Sequence, residues 1–225
     1  MKEIQVISTA DGSHSLLNTR LQETYHSVQG AVQESIHVYL KEGLENWHQQ
    51  HHANELSILE VGFGTGLNAL LTLLYANKNG CKVYYESWEA SPLDPVIVQQ
   101  LNYGEFTGAG KLFDRLHDAP WEVEVPISSG FILRKHCGDV VLDSFPNTTF
   151  DVIYFDAFAP SKQPEMWSPE VLRKVTGMLN PGGIWVSYCA KGQVKRDLAS
   201  LGLAVEALPG PPGKKEMTRA KRIRS

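Results

Sequence analysis

Cysteine is scarce and poorly placed for cross-linking. Cys81, Cys137 and Cys189 are odd in number, far apart, and form no Cys-x-x-Cys pair. That pattern excludes a disulfide framework or zinc knuckle and predicts reduced, buried thiols in a cytoplasmic protein. Long apolar runs are missing as well, so no segment reads as a membrane span. The opening "MKEIQVISTADGSH" has no apolar h-region, and hence no secretory leader is expected. Repeats and low-complexity tracts are absent. So is any overall positive charge: the net charge is −4, which excludes a nucleic-acid binder basic over its whole surface. Charge is nevertheless uneven. The last twelve residues, "KKEMTRAKRIRS", hold six basic residues and one acid, leaving residues 1–213 with 15 basic against 24 acidic side chains. That end reads either as a solvated strand or as a local phosphate-binding footprint.

What is present suits one domain with a modest extension: 42% of the residues are apolar and 20% charged over 225 positions. Residues 4–8 and 15–18 flank the turn signal "ADGSH" and predict a hairpin. From Ala31 to about Gln50, Val32, Ile36, Tyr39, Leu40, Leu44 and Trp47 share one helical face. Residues 1–50 are therefore read as a hairpin-and-helix extension, and 51–225 as the main domain. There, strands and helices alternate: strand 56–61, helix 66–77, strand 81–90, helix 92–101, a hairpin over 121–139, strand 150–158, helix 168–179, strand 183–190, a helix from Gln193, and a closing hairpin. Repeated β-α units imply an α/β fold, a largely parallel sheet with helices on both faces and an antiparallel terminal strand.

Ligands of such sheets bind beyond the carboxyl ends of the strands. Four carboxylates stand at or near those ends: Glu60, Glu89, Asp139 and Asp156. The first introduces "EVGFGTG", in which Gly62, Gly64 and Gly66 follow a strand and open a helix, so that the backbone can approach a ligand closely. A dinucleotide fingerprint would need its third glycine one position later, where Leu67 stands. The spacing fits instead E/D-x-G-x-G-x-G, the nucleoside-methionine loop of class I methyltransferases. A tight turn alone would also explain the glycines. Glu89 suits both hydroxyls of a ribose, and Gly138-Asp139 suits the exocyclic amine of adenine, although Asp139 could simply cap a helix over 140–145. Together they describe S-adenosylmethionine, whose sulfonium and ammonium groups favour an acidic pocket.

"LEVGFGTGLNALLT", "DAFAPSKQPEMWSPEVL", "ETYHSVQGAVQESIHVYL" and "GPPGKKEMTRA" together resemble the MnmC/MnmD family of tRNA methyltransferases, over nearly the whole chain. Members are free-standing or form the amino-terminal half of a bifunctional protein. The FAD-dependent half is not expected in this chain. The resemblance implies a class I, Rossmann-like fold with a seven-stranded sheet, S-adenosylmethionine as methyl donor, and the 5-aminomethyl nitrogen of a wobble 2-thiouridine as acceptor. It implies that Glu60, Gly62, Phe63, Gly64, Thr65, Gly66, Asn68, Glu89, Gly138, Asp139 and Asp156 serve the cofactor. The resemblance assigns Tyr25, Glu34, Phe158, Pro160, Lys162, Lys191, Lys214 and Lys215 to the substrate side. Phe158 and Pro160 would stand over the methyl group, and Tyr25 and Glu34 would close over the cofactor or else form a helix packing face with Glu34 in solvent. The lysines, with Lys195, Arg219 and Lys221, would form a phosphate surface for the tRNA anticodon loop. Gln163 and Ala157 depart from the Asn and Gly expected at those positions.

Asp156 is the candidate catalytic residue, either orienting and deprotonating the acceptor amine or holding the cofactor's ammonium group. Met166 and Trp167 read as core anchors of its loop. His48, His51 and His52 have the i, i+3, i+4 spacing of a metal site but no supporting carboxylate, so no metal is expected and solvent exposure is. Two other enzyme classes fit the same loop: a small-molecule N-methyltransferase and an aminopropyltransferase-like enzyme. A non-enzymatic RNA-binding scaffold would show a damaged cofactor loop, and this one is intact.

Overall fold

The central strands of the main sheet are apolar on both faces, and their side chains sort by parity. In the computed structural model, which describes residues 3–145 and 148–223, Ile58, Val152, Tyr154, Ile184 and Val186 enter one core cluster. Their neighbours Leu59, Ile153, Phe155 and Trp185 enter a second one. Alternation of this kind is what a strand buried between two helical layers requires. The segments Ala31–His51, Leu67–Asn79 and Gly110–Asp118 supply the first layer, and Pro169–Thr176 and Gly192–Ser200 the second.

A small antiparallel sheet precedes the main one and contains β1 (Ile4–Ser8), β2 (His14–Asn18) and β3 (Glu23–Thr24). The main sheet comprises β4 (Glu55–Val61), β5 (Lys82–Glu89), β6 (Glu124–Ser128), β7 (Phe131–Cys137), β8 (Phe150–Phe155), β9 (Leu179–Ser187), β10 (Leu203–Pro209) and β11 (Glu216–Arg222), in the order β10-β11-β9-β8-β4-β5-β7-β6. Its five central strands are parallel. The expected seven strands are in fact eight, because both halves of the 121–139 hairpin pair, adding β6 antiparallel at one edge while β11 and β10 close the other. The chain leaves β4 towards β5 and returns to its other side at β8. The β4/β8 boundary is therefore the topological switch, where a ligand crevice opens.

Other expectations shift. The helix placed over 92–101 shrinks to Pro95–Val98: Asp94 caps it through Val96, and the Gln100 and Leu101 amides bond three residues back, winding the chain tightly out of the helix. Two helices, Tyr103–Thr107 and Gly110–Asp118, follow where none was expected. Residues 140–145 form turns rather than a helix, and Pro146 and Asn147 lie outside the described residues. The segment 31–51 is helical throughout, but Ile36–Glu45 winds in wider π turns, a form that clusters at functional sites. Gly43 lets this segment lie directly on the sheet, since an added Cβ would stand 3.0 Å from Val186 Cγ2 and 3.2 Å from Tyr154 Cε1. One turn earlier, Tyr39 is thereby carried over the carboxyl end of β8.

Of the cysteines, Cys81 and Cys189 are buried as expected, whereas Cys137 is exposed because it ends β7 at the sheet rim. His48 and His51 are not simply solvated. His48 pairs with the Tyr75 hydroxyl at 2.8 Å, and the His51 ring stacks on Trp47; His52 is exposed. Among the described residues no group of three His, Cys, Asp or Glu side chains is placed to hold a metal, and no helix is long and apolar enough to cross a membrane.

Candidate active site

At the switch point the two strand ends are tied together. Asp156 N donates to Val61 O at 2.9 Å, and Gly62 N donates to Trp88 O at 2.8 Å. Gly62 has φ 95°, and a Cβ on it would meet Asp156 O at 2.9 Å, so only glycine allows the loop this close to β8. Above the junction opens a cavity of about 800 Å3. Gly62, Phe63, Gly64, Thr65 and Asn68 line it from the β4 loop, Glu89 from the end of β5, Gly138 and Asp139 from β7, and Asp156 from β8. Tyr25, Glu34, Phe158, Lys162 and Lys214 complete the opposite side.

Each acid is held differently. Glu89 accepts from Gly64 N at 2.9 Å with one oxygen and from Ser91 N at 2.8 Å with the other, joining the glycine loop to β5. Asp139 accepts from Val141 N at 2.8 Å, a turn-making contact that replaces the helix cap foreseen for it. Asp156 Oδ1 accepts from Tyr39 Oη at 2.5 Å, and Oδ2 from Asn68 Nδ2 at 2.9 Å. Burial drives the Asp156 pKa up to about 7, against the two hydrogen bonds and the Lys214 charge, which lower it. Nearby Glu34 strengthens the rise.

Glu60 does not reach the cavity. Strand alternation turns its side chain into the core, where Ser87 Oγ donates to it at 2.7 Å and Oε1 has no partner. Burial raises its pKa to about 8, helped by the Asp156 charge. A carboxyl group with a raised folded-state pKa contributes stability that is fully present below its ordinary 4.5 and lost as pH rises through about 8. Glu60→Gln, which mimics the protonated form, is therefore expected to gain thermal stability over the wild type progressively from pH 5 to 8.5. The gain is about 2–4 °C for each kcal/mol of charge burial relieved. A Tm difference independent of pH would contradict this.

Gly66 also lies off the cavity, its φ of 72° serving the turn into the helix Leu67–Asn79, under which His117 Nε2 contacts Thr65 O at 3.1 Å. Burial lowers the His117 pKa to about 4, so a neutral ring donates there. Pro160, Lys191 and Lys215 line a separate, adjoining cavity.

The aromatic loop is braced from within. Trp167 Nε1 donates to Phe158 O at 2.8 Å, and Phe158 N donates to Gln163 Oε1 at 3.0 Å, while Met166 is half-buried and lines the cavity. Gln163 thus does the loop-closing work of a side-chain carbonyl. Phe158 meets Tyr25 edge-on, with ring centroids 5.0 Å apart. Glu34 is buried, accepts from Ser27 N at 2.6 Å and pairs with Lys214, whose ammonium lies 4.0 Å from the Tyr188 ring centroid.

Several basic residues of the closing hairpin and of the helix before it are paired with acids. Arg219 is buried between Glu42 at 2.7 Å and Glu206 at 2.6 Å, Lys195 pairs with Glu216 at 2.6 Å, and Lys221 lies 3.7 Å from Glu206. The expected basic surface contracts accordingly, because β11 is an inner strand whose side chains pack under the helix 31–51.

Two cavity residues, Trp88 and Tyr188, and Tyr39, which reaches the cavity only through Asp156, were not legible in the sequence. Tyr39 looked like one more residue of an apolar face, although a buried tyrosine hydroxyl needs a partner. Tyr188 and Trp88 looked like ordinary strand residues. Fit to an adenosyl-methionine ligand shows in atoms left unpaired: on residues that line the cavity, Asn68 Oδ1 and Trp88 Nε1 are buried without partners among the described residues. Glycine backbone at close approach and carboxylates at both ends suit the same ligand.

Residues 111–223 match a family model described as S-adenosyl-L-methionine-dependent methyltransferase. Curated relatives include the tRNA 5-methylaminomethyl-2-thiouridine biosynthesis bifunctional protein MnmC of Cupriavidus necator, 33% identical over 215 residues, which cover 89% of this chain and 32% of the relative. The protein of the same name from Pseudoalteromonas atlantica is 31% identical over 237 residues, covering 96% of this chain and 33% of the relative. The chain thus spans about a third of the length of these relatives. Among solved structures, MNMC2 from Aquifex aeolicus superposes with a TM-score of 0.79 at 26% identity, covering 99% of this chain and 71% of that one. Spermidine synthase from Thermotoga maritima gives 0.59 at 13% identity, covering 99% and 69%, a likeness of fold alone.

Proposed function

Because the chain belongs to the S-adenosyl-L-methionine-dependent methyltransferase family, we propose that it methylates the 5-aminomethyl nitrogen of a wobble 2-thiouridine in tRNA, giving 5-methylaminomethyl-2-thiouridine. The observation that carries this reading is the Asp156 carboxylate. It stands on the cavity wall between the nucleoside-type acids and the aromatic pair Tyr25–Phe158, with its pKa raised to about 7. The relatives' names supply the identity of the acceptor.

When bound, S-adenosylmethionine supplies an electrophilic methyl group on a sulfonium sulfur. The loop from Gly62 to Asn68 holds that ligand through its backbone. Glu89 accepts from ribose hydroxyls, Asp139 from the adenine amine, and Asn68 Oδ1 from a cationic nitrogen. Phe158, with Tyr25 edge-on beside it, offers a stacking surface for an extruded base, the mode by which single-stranded RNA is read. An alkyl ammonium has no lone pair, so a proton must leave before the nitrogen can attack. Asp156 accepts that proton, directly or through water, and orients the amine, while Tyr39 and Asn68 keep its carboxylate in place. Residues 1–50 enter this reading as an extension on the methyltransferase domain 51–225, since they contribute Tyr25, Glu34 and Tyr39. Lys162 and Lys214 face the substrate side, and the reaction places the protein in the cytoplasm with its tRNA.

The test is incubation with labelled S-adenosylmethionine and tRNA lacking the modification, followed by nucleoside mass spectrometry. Label on the 5-aminomethyl nitrogen is expected. Label on another position, or transfer to polyamines or free amines without tRNA, overturns the reading.

A further inference from the structure

Beside the cofactor cavity lies a second one, of about 510 Å3, which the methyl-transfer chemistry leaves unused. Ala159, Pro160, Cys189 and Ala190 give it apolar surface, and Lys191, Lys214 and Lys215 give it positive charge. Its carboxylate, Glu216, is neutralised by Lys195 at 2.6 Å. Among the described residues the two cavities share only Tyr188 and Lys214, which stand between them. Both partition residues are fixed: Tyr188 Oη donates to Ala157 O at 2.9 Å, and Lys214 is held by Glu34 and the Tyr188 ring.

We propose that this cavity receives the nucleotide adjacent to the methylated one, with its base against the apolar surface and its phosphate on Lys191 and Lys215. The assignment rests on the reading of the substrate as tRNA. A polynucleotide that inserts one base into the first cavity must place its neighbour one backbone unit away, and the adjoining space is large enough for a ligand of that size. Charge distribution singles out the same spot. Arg219, Lys195 and Lys221 are committed to acids, whereas Lys191 and Lys215 are exposed and have no carboxylate within ion-pair distance among the described residues. A small cationic amine would be repelled by three lysines, and a phosphodiester would be attracted. With Tyr188 in its wall, the cavity sets an aromatic residue beside exposed lysines, the pairing of stacking surface and positive charge used by single-stranded nucleic-acid sites.

Two exposed positions test the assignment without disturbing the core. Ala190→Trp fills the cavity, and Lys215→Glu reverses its charge. Each is expected to raise KM for hypomodified tRNA about tenfold, the size of one lost contact, with kcat at saturating tRNA and the Kd for S-adenosylmethionine within about twofold of wild type. Lys215→Ala should also reduce the slope of log affinity against log salt by about 0.7–0.9. If wild type methylates tRNA and both variants keep its KM, the cavity is no nucleotide site. An equal loss on the free nucleoside 5-aminomethyl-2-thiouridine would show that the cavity serves the reacting nucleoside itself, which also overturns the assignment. Wild type that methylates free amines and ignores tRNA would instead remove the reading beneath it.

Discussion

Asp156→Asn is expected to lower kcat for methyl transfer by about 10²–10⁴-fold, the usual contribution of a positioned proton acceptor, while leaving the Kd for S-adenosylmethionine within a few-fold. Asn preserves the shape and one acceptor oxygen, so Tyr39 can still donate to it, but it cannot take a proton. The two roles open for Asp156 then separate in a single experiment. Loss confined to kcat identifies the residue that handles the acceptor amine. A large rise in cofactor Kd with modest loss of kcat assigns the carboxylate to the cofactor's ammonium group and refutes the proton-acceptor role. The wild-type profile adds a second reading. With the carboxyl pKa raised to about 7, the unprotonated base is depleted below that pH. The kcat should therefore fall about tenfold per pH unit on the acid side and level off above.

Tyr39→Phe is expected to move that acid limb upward. The 2.5 Å hydrogen bond from Tyr39 stabilises the carboxylate form, so deleting it raises the Asp156 pKa further. A hydrogen bond to a charged group contributes about 1.5–3 kcal/mol, which corresponds to about 1–2 pH units. Activity at pH 7 would drop about 5- to 50-fold and recover towards wild type near pH 9. Tyr39 touches neither reacting atom and acts as a positioning residue. A purely structural role would depress the rate equally at all pH values and leave the limb in place, and that outcome would refute the tuning role.

Much of the architecture is legible in the chain. The alternation of "LSILEV", "CKVYYESWEA" and "FDVIYFDAF" with helical segments follows from local periodicity, and β4, β5 and β8 stand close to where it puts them. The glycine loop is legible because backbone conformation is local: the φ of 95° at Gly62 favours glycine before any contact with β8 is considered. Elements with weak patterns were not legible. Residues 103–118, "YGEFTGAGKLFDRLHD", interrupt two short helices with glycines, and β6, foreseen as half of a hairpin, gave no sign that it would extend the main sheet because Pro126 and polar residues leave it only half-buried. Long-range pairing was invisible for a different reason. Arg219 in a basic run looks like a phosphate ligand, and nothing nearby in the chain announces that Glu42, 177 positions away, will neutralise it.

By itself the sequence determined the parallel α/β framework, the close-approach loop, and the placing of Glu89, Asp139 and Asp156 near strand ends, since each depends on spacing within a few residues. Only the tertiary structure decided which of those acids face one cavity. It turned Glu60 into the core, brought Tyr39 across 117 positions onto Asp156, and set Lys214 between two cavities against Glu34, 180 positions away. The physical reason is that proton affinity and ligand contact depend on burial and on neighbours in space, and those are products of packing rather than of sequence order.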